Sequence, residues 1–523
     1  MSSRNKKRSQ SEASASDASS SATTGPAAKA RIVTAADGTA RKASASASAA
    51  HHADAMDVDE MGEFEDAFED EYESDGSVVD NSDSDDDDAD AMDVEEDDND
   101  DDVPEGVQVY LPGQPLQEGE ELQVDNSAYE MLHSLSVQWP CLSFDVIRDQ
   151  LGNDRKKFPH SAYLVAGSQA DSLFKNEIYV MKMSQLAKTK YDDQEVSDDD
   201  QSDDDEIDVD PVLEHRSFKH PGGVNRVRAM PTTAPNAPHI VAVWSDQRKV
   251  GIYDMTTHVR SLDTPGLVAP TKVEPLFKVE HKQEGFAMDW SRKQEGHLVT
   301  GDCDNTIKYT TPTPSGFALS ATYANVHASS VEDLQWSPSE ATVFASCSAD
   351  GTMKIFDTRM GAKPGVSAKL ADCDVNVISW NALTPFLLAS GHDDGSFGVW
   401  DLRELARSAK KGPGAAAAKA VPAAHFTWHK APITSIEWHS HEESMLAVAG
   451  DDHQTTIWDL STERDDAPGA TAMEINGVTV PPQLLFVHQG QEYVKEVHWH
   501  AQIPGCLVTT SASGFNVLKT INS

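Results

Sequence analysis

The second half of the chain repeats one arrangement of apolar and polar positions four times. The repeats open at His281, His327, Ala371 and His429, and each closes on a turn Asp 23 residues later. A Trp follows nine residues after each opening, at Trp290, Trp336, Trp380 and Trp438. In three repeats an aromatic-Asp pair lies six residues beyond the turn Asp, at Phe356-Asp357, Trp400-Asp401 and Trp458-Asp459. This period with its closing Trp-Asp predicts four-stranded blades of a β-propeller.

Weaker copies of the pattern flank these four repeats. Segments that begin at His220 and His488 are atypical, as terminal repeats commonly are. Upstream, residues 142–147, 162–167 and 178–183 predict three short strands by composition and length. Seven blades of about 40–45 residues need roughly 300 residues, which the chain beyond residue 125 supplies. The sequence therefore predicts an all-β fold, a seven-bladed WD-repeat β-propeller over residues 141–523.

Acidic residues are concentrated in two runs. Residues 54–102 hold 27 Asp and Glu and residues 192–210 hold 12, without one Lys or Arg. The rest of the chain has 48 acidic against 42 basic residues, so the predicted fold is nearly neutral. Blocks of like charge repel one another and commonly serve as disordered interaction tails. Their densest positions, which we take as partner-binding candidates, are Asp85, Asp86, Asp87, Asp88, Asp198, Asp199, Asp200, Asp203, Asp204 and Asp205.

Composition divides the chain into four parts. Residues 1–53 form a Ser/Ala-rich tail, 54–106 an acidic tail, 107–140 an extension with a helix, and 141–523 the propeller with an acidic insertion at 187–210. Two further polar insertions lie at 405–424 and 461–480, and the stretch 406–420 is predicted to be a flexible loop. Insertions in repeat arrays tend to fall on one face. The basic cluster at residues 4–8 is either a nuclear-import signal or a solubilising group.

A helix is predicted over residues 127–138. Ser127 and Glu130 form a capping box ahead of an apolar stripe, and Pro140 would end the helix. A short amphipathic helix needs a surface to pack on, so we expect it against the propeller. Partner-binding candidates on and beside it are Tyr129, Leu132, Leu135 and Trp139.

Arg226 and Arg228 are a further partner-binding candidate pair, because alternate residues share one face of a strand. Exposed Arg is unexpected on a protein this acidic. The pair therefore either contacts a carboxylate of a partner or is paired internally.

Residue types that could support catalysis repeat at fixed offsets and do not converge in one copy. His429, Ser435 and Asp452 have counterparts in other repeats, which favours hydrogen bonds between turn and strand over a hydrolytic triad. No catalytic residue and no cofactor is predicted. The alternating His439/His441 and His498/His500 could face one ion, but they are interpreted as ordinary strand residues, and no metal is expected.

Two remaining features concern modification and environment. Ser82, Ser84, Ser197 and Ser202 each precede an Asp by three residues, a context that acidophilic kinases favour. The five Cys form no Cys-x-x-Cys pair and are interpreted as reduced thiols of an intracellular protein. No apolar run approaches the roughly 18 residues that a membrane span needs, and no membrane partner is expected.

Several motifs resemble a known family. Residues 129–133 and 139–145 are similar to the N-terminal helix and first strand of histone-binding WD-repeat proteins. Residues 109–113, 118–122, 141–145 and 224–228 resemble more closely the glutamate-rich WD-repeat protein family. The resemblance covers about residues 107–523. One departure is that the first acidic run is mostly Asp.

That resemblance implies a ribosome-assembly factor of the nucleus and nucleolus, a dedicated chaperone of the basic large-subunit ribosomal protein L-three. It would capture its client as early as the cytoplasm and deliver it to pre-ribosomal particles. We expect a monomer without direct sequence-specific nucleic-acid binding. Two alternatives remain open. One is a histone-binding chaperone. The other is a substrate receptor of a cullin-type ubiquitin ligase, docked through Arg359 and Arg403 in motifs that resemble a Trp-Asp-x-Arg box.

Overall fold

The computed structural model describes residues 125–189 and 210–522, apart from 233, 235–236, 411–418, 463–473 and 476–477. These residues build seven four-stranded antiparallel sheets. The first strands of neighbouring sheets contact one another all the way round the ring, from sheet 1 to sheet 7 and back. The seven-bladed propeller predicted from the repeats is therefore confirmed, with the first strands around a central channel.

Sheets 1 to 5 each use four strands that follow one another in the chain. Sheet 1 has β2 (Cys141–Ile147), β3 (His160–Ser168), β4 (Glu177–Leu186) and β5 (Val212–Lys219). Sheet 2 has β6 (Val224–Ala229), β7 (Ile240–Ser245), β8 (Lys249–Asp254) and β9 (Phe277–Glu280). Sheet 3 has β10 (Met288–Trp290), β11 (Leu298–Gly301), β12 (Ile307–Thr313) and β13 (Gly316–Tyr323). Sheet 4 has β14 (Val331–Trp336), β15 (Val343–Ser348), β16 (Thr352–Asp357) and β17 (Val366–Lys369).

Among the remaining sheets, sheet 6 is interrupted by a hairpin and sheet 7 takes its fourth strand from the N-terminal part of the fold. Sheet 5 has β18 (Val375–Trp380), β19 (Leu387–His392), β20 (Phe397–Asp401) and β21 (Ala424–Phe426). Sheet 6 has β22 (Ile433–Trp438), β23 (Met445–Gly450), β24 (Thr455–Asp459) and β27 (Leu484–His488). A small hairpin, β25 (Glu474–Ile475) and β26 (Val478–Thr479), interrupts it. Sheet 7 has β28 (Glu496–Trp499), β29 (Cys506–Ser511), β30 (Gly514–Thr520) and β1 (Tyr129–Leu135).

The N-terminal strand β1 closes the ring, and the predicted helix over 127–138 is wrong. A single 3-10 turn, Asn126–Ala128, precedes the strand among the described residues, and the Asp125 carboxylate caps it. Tyr129 then lies opposite Thr520, and Leu135 lies opposite Phe515. An isolated short helix gains little by itself, whereas β1 supplies the fourth strand that sheet 7 lacks. Tertiary pairing therefore overrides the capping-box pattern.

The repeat Trp residues connect neighbouring sheets. The indole N–H of Trp336 donates to the carbonyl of Asp289 in the preceding sheet, at 3.2 Å. Trp438 does the same to Ser379 at 3.0 Å, and Trp499 to Glu437 at 3.2 Å. All three Trp side chains are buried. A large apolar ring with one donor at this position therefore connects these sheets, which explains the spacing seen in the sequence. Trp380 differs, because its indole N–H donates to the Pro385 carbonyl within its own sheet.

All three polar insertions lie between the third and fourth strands of their sheets, in sheets 1, 5 and 6. Because the strands are antiparallel, these connections share one end of the ring with the connections from first to second strands. We call it the insertion end. Helix α1 (Thr256–Asp263) occupies the same connection in sheet 2, and α2 (Leu402–Lys410) begins the one in sheet 5. The loop predicted over 406–420 is thus helical as far as residue 410.

Candidate functional site

The partner-binding candidates of β1 belong to the packed closure of the ring. Tyr129 is buried, and its hydroxyl lies 2.8 Å from His488 Nδ1 in sheet 6. Leu132 and Leu135 are half-buried against the cores of the adjoining sheets. They do not form the apolar stripe of an accessible helix. Their first role is to hold the fourth strand of sheet 7 in place.

Trp139 lies at the other end of the ring from Tyr129. It belongs to the connection from β1 to β2 and is half-buried. The Lys175 ammonium lies 5.4 Å from the centroid of its ring. The four residues predicted as one site are therefore spread along β1 and the connection that follows it.

The beginning of the acidic insertion runs along the outer edge of β1. Thr189 donates its backbone N–H to the Glu130 carbonyl at 3.0 Å, and Leu132 donates its N–H to the Thr189 hydroxyl at 2.8 Å. His133 Nε2 lies 2.8 Å from the Ala187 carbonyl. Both acidic runs therefore join the described fold at the insertion end, one through Asp125 and the other through Thr189. The acidic candidates and the serines named above lie outside the described residues.

Arg226 and Arg228 are paired internally. Arg226 Nη1 lies 2.6 Å from Glu496 Oε1, and Arg228 Nη2 lies 2.8 Å from the same oxygen. Glu496 belongs to sheet 7 and both Arg to sheet 2, so the ion pairs bridge two sheets that sheet 1 separates. Arg226 Nε also donates to the Phe286 carbonyl at 2.9 Å. Of the two roles left open by the sequence, these contacts support internal pairing.

His498 extends this cluster. Its Nδ1 lies 2.8 Å from Glu437 and its Nε2 lies 3.7 Å from Glu496. Burial would lower the pKa of His498, but Glu437 and Glu496 raise it to about 10, so the ring is an imidazolium. Burial would raise the pKa of Glu496, but Arg228, Arg226 and His498 hold it well below its usual range. Both groups are charged at neutral pH.

Two recurrent sequence offsets from the repeat Trp underlie this network. The side chain immediately before the repeat Trp accepts the N–H of the Trp in the next sheet: Asp289 accepts from Trp336 at 2.7 Å and Glu437 from Trp499 at 3.3 Å. The side chain three positions before the Trp makes a similar bond, as Glu496 does with the Phe144 N–H at 2.9 Å. Polar residues at these two offsets in successive repeats were the available signal.

The two ligase-docking candidates occupy equivalent places in sheets 4 and 5. Arg359 Nη2 lies 2.6 Å from Asp357, and Arg403 Nη2 lies 2.7 Å from Asp401. Each Arg side chain remains more than half exposed, at 72% and 58%. The Arg403 guanidinium also lies 3.7 Å from the Phe386 ring centroid. The structure therefore presents two similar exposed Arg side chains at the insertion end.

The His-Asp pairs of the repeats are structural. His429 Nδ1 lies 2.9 Å from Asp452 Oδ1, and its Nε2 lies 2.9 Å from the Thr456 hydroxyl. Both His429 nitrogens are thus engaged by the turn and strand, and the interpretation as turn-to-strand hydrogen bonds is confirmed. Ser435 instead accepts from the Val497 N–H in the next sheet.

The candidate metal pairs are likewise engaged or buried. His439 Nδ1 accepts the N–H of Glu442 at 2.9 Å, and His500 Nδ1 accepts that of Gln502 at 3.1 Å. Burial lowers the pKa of both rings, to about 4 for His439 and about 3 for His500. Among the residues that the structure describes, no group of three or more His, Cys, Asp or Glu could hold a metal ion. The same residues include no helix that is long and apolar enough to cross a membrane.

Two protein-family models match parts of the chain. Residues 119–187 match the family of "Histone-binding protein RBBP4", which also takes in a component of the CAF1 complex. Residues 319–357 and 420–459 match "WD domain, G-beta repeat".

Three curated relatives are similar over most of their length. The chain is 43% identical to "Ribosome assembly protein rrb1" of Schizosaccharomyces pombe, over 90% of this chain and 95% of that protein. It is 44% identical to "Protein HEAT STRESS TOLERANT DWD 1" of Arabidopsis thaliana, over 79% of this chain and 92% of that protein. It is also 44% identical to "Glutamate-rich WD repeat-containing protein 1" of Dictyostelium discoideum, over 78% and 84% respectively.

Proposed function

Because this chain belongs to the family of rrb1 and the glutamate-rich WD-repeat proteins, we propose that it is a non-catalytic ribosome-assembly factor. It binds a strongly basic protein of the large ribosomal subunit, L-three, and delivers it to pre-ribosomal particles. Its site of action is the nucleus and nucleolus. The name of the rrb1 relative supports the assembly role, and the acidic runs support a basic client.

One observation carries the proposal: the two acidic runs join the fold at neighbouring points. The beginning of the insertion is hydrogen-bonded to β1, and β1 is the strand through which the N-terminal acidic run enters. Thr189 and Glu130 are in direct contact. The two runs hold 39 Asp and Glu between them, and the rest of the chain is nearly neutral.

The physical role of these carboxylates follows from the chemistry of the client. A ribosomal protein carries Lys and Arg that are meant for RNA phosphates, and these side chains bind other polyanions when RNA is absent. Carboxylate runs offer the same negative charge reversibly and speed capture at low salt through electrostatic attraction. Ribosomal RNA, with its higher charge density, then displaces them.

Purification of the tagged full-length chain from cells tests this function. The expected result is one basic large-subunit ribosomal protein in stoichiometric amount, which dissociates at high salt. A stoichiometric histone in its place would favour the histone-binding alternative, which the family match over residues 119–187 supports. If neither the ribosomal protein nor a histone co-purifies in stoichiometric amount, the proposal is contradicted.

A ligase-receptor role is the second alternative, favoured by the exposed Arg359 and Arg403. The adaptor of a cullin-type ligase should then co-purify and be lost on Arg403→Ala. Retention of the adaptor by that variant, or its absence from both purifications, would contradict this role.

A further inference from the structure

The fourth strand of each sheet forms the outer edge of the propeller, and β5 has the longest unbroken edge that the described residues leave free. The outer strands β9, β17, β21 and β27 have five residues or fewer. β13 is as long as β5, but a bulge interrupts its register opposite Tyr309 and Thr310. The edge of β1 is bonded to Thr189. All eight residues of β5, Val212–Lys219, pair with β4 in continuous register.

A slot of about 440 Å³ lies beside this edge. It is lined by His215, Arg216 and Ser217 of β5, and by residues 266–269 and 271 of the connection that follows α1. Hydrogen bonds hold that connection in place. Leu267 donates its N–H to the Thr264 carbonyl at 3.2 Å, and His258 Nε2 lies 3.0 Å from the Pro270 carbonyl. Because the fold fixes both walls, the slot is preformed.

β5 leaves part of its main-chain hydrogen-bonding capacity unused. In an outer strand of an antiparallel sheet, alternate residues direct their N–H and C=O groups away from the sheet. In the part of the chain that the structure describes, no main-chain hydrogen bond from an element other than β4 reaches Val212–Lys219. The Arg216 guanidinium folds back on its own strand and donates to the His215 carbonyl at 2.9 Å. Such an edge is a template for an added strand.

Exposed apolar side chains accompany the edge. On the connection beside the slot, Val268 is 82% exposed and Leu267 is 39% exposed. Val212, at the beginning of β5, is also 39% exposed. Side chains of an added strand point alternately to its two faces, so every second one would lie near these residues. An occupant with apolar side chains at alternate positions therefore fits the slot.

The charged side chains around the slot balance, so the slot itself selects no charge. The sequence that leads into β5 does select one. Residues 192–210 hold 12 Asp and Glu without one Lys or Arg, and they end two residues before Val212. A cationic segment is therefore attracted to this end of β5, whereas the net charge of −45 opposes a second copy of the chain. The balanced cations and carboxylates are Lys182, Arg216, Lys219, Arg260 and Lys272, and Glu177, Asp210, Glu214, Asp263 and Glu274.

We propose that the outer edge of β5 and the slot beside it bind an extended segment of the basic client as a fifth strand of sheet 1. Main-chain hydrogen bonds along this edge, roughly 26 Å long, supply affinity, and Leu267 and Val268 select apolar side chains at alternate positions. This inference rests on the proposed function, since the basic client supplies the segment. It adds a contact that depends on shape to the acidic runs, which tolerate many basic sequences.

Hydrogen exchange of the full chain, alone and in complex with the basic ribosomal protein that co-purifies with it, tests the edge directly. The outward amides of β5 should exchange at least about tenfold more slowly in the complex. β13, an outer strand of the same length, is the internal control and should exchange equally in both states. Unchanged exchange at β5, or equal slowing at β5 and β13, would overturn the inference. Slowing at β5 that rises with the concentration of the chain alone would assign the edge to a second copy, and would overturn it too.

Substitutions test the slot. The slot variant combines Leu267→Ser with Val268→Ser, and the matched control combines Leu319→Ser with Val421→Ser. Leu319 is 45% exposed and Val421 is 86% exposed, so both variants lose similar amounts of exposed apolar surface. At about 0.3 M salt, where attraction by the acidic runs is largely screened, the slot variant should bind the client at least about fivefold more weakly than the wild type. The control should stay within about twofold.

The outcomes separate this inference from the proposed function. Equal client affinity of the slot variant and the control would overturn the inference, and the proposed function would stand because the client still binds. If no basic ribosomal protein binds the wild type, the proposed function fails and the inference fails with it.

Discussion

The carboxylate of Glu496 in sheet 7 lies 2.8 Å from the guanidinium of Arg228 in sheet 2. Sheet 1 lies between these two sheets in the ring, so the ion pair connects two sheets that are not adjacent. Arg226 binds the same oxygen, and the Glu496 side chain is 1% exposed. One buried carboxylate therefore pairs with two cations and, through its bond to the Phe144 N–H, connects three neighbouring sheets.

Replacing Glu496 by Gln should destabilise the propeller strongly. The amide keeps an acceptor for the Phe144 N–H but removes the ion pairs that Arg226 and Arg228 form with Glu496. Loss of one partner of a buried ion pair costs about 3–5 kcal/mol. Urea unfolding followed by Trp fluorescence measures the change. Arg359→Ala, which breaks an exposed pair of similar length, should leave the free energy of unfolding nearly unchanged. A Glu496→Gln variant as stable as this control would contradict the role of the cluster.

His498 should make stability depend on alkaline pH. Its pKa in the folded protein is about 10, above the unfolded value of about 6.5. A group whose folded pKa is raised stabilises fully below its unfolded pKa and loses that contribution as pH rises through the folded pKa. The stability difference between wild type and His498→Gln should therefore be largest near pH 6 and shrink towards pH 10.

Glu437→Gln provides the matched test, because Glu437 is the larger electrostatic cause of that raised pKa. In this variant the loss of stability should occur at lower pH than in the wild type. Parallel pH profiles for wild type, His498→Gln and Glu437→Gln would show that His498 contributes no proton-linked stability.

Strand β1 should be indispensable for folding. A fragment of residues 120–523 retains β1, and we expect it to unfold cooperatively without any partner or metal. A fragment of residues 137–523 lacks the fourth strand of sheet 7 and exposes the edge of β30, so it should lose cooperative unfolding. Circular dichroism during heating distinguishes the two.

A synthetic peptide of residues 125–136 should restore the transition of the shorter fragment, because it can pair with β30. Residues 514–520 would otherwise present an unpaired edge. Cooperative unfolding of the 137–523 fragment without the peptide would show that β1 is dispensable.

The repeats predicted the fold because each one encodes its own contacts. Trp336 and Trp438 keep their spacing since each bridges to the preceding sheet, as Trp290 and Trp499 also do. The role of residues 127–135 could not be predicted locally. Ser127 and Glu130 satisfy a helix-capping pattern, and only the distant β30 converts the segment into a strand. Arg228 and Glu496, 268 residues apart, carry no local signal of their pairing either. The contact between Thr189 and Glu130 likewise became visible only once the ring was complete.

Deleting residues 54–102 should weaken client binding and flatten its salt dependence. The deletion removes 27 carboxylates and not one Lys or Arg. Attraction between exposed charges is screened over about 10 Å at 0.1 M salt, so the loss should be large at low salt and small at high salt. Binding of the purified client, measured between about 0.05 and 0.3 M salt, gives the slope. Deletion of residues 1–50, a Ser/Ala-rich stretch of nearly equal length with 8 Lys and Arg against 3 Asp and Glu, is the control and should not weaken binding at low salt. If the 54–102 deletion binds the client as tightly as the control at low salt, the first acidic run is not part of the binding surface, and the client must be held by the fold or by the insertion that begins beyond Thr189.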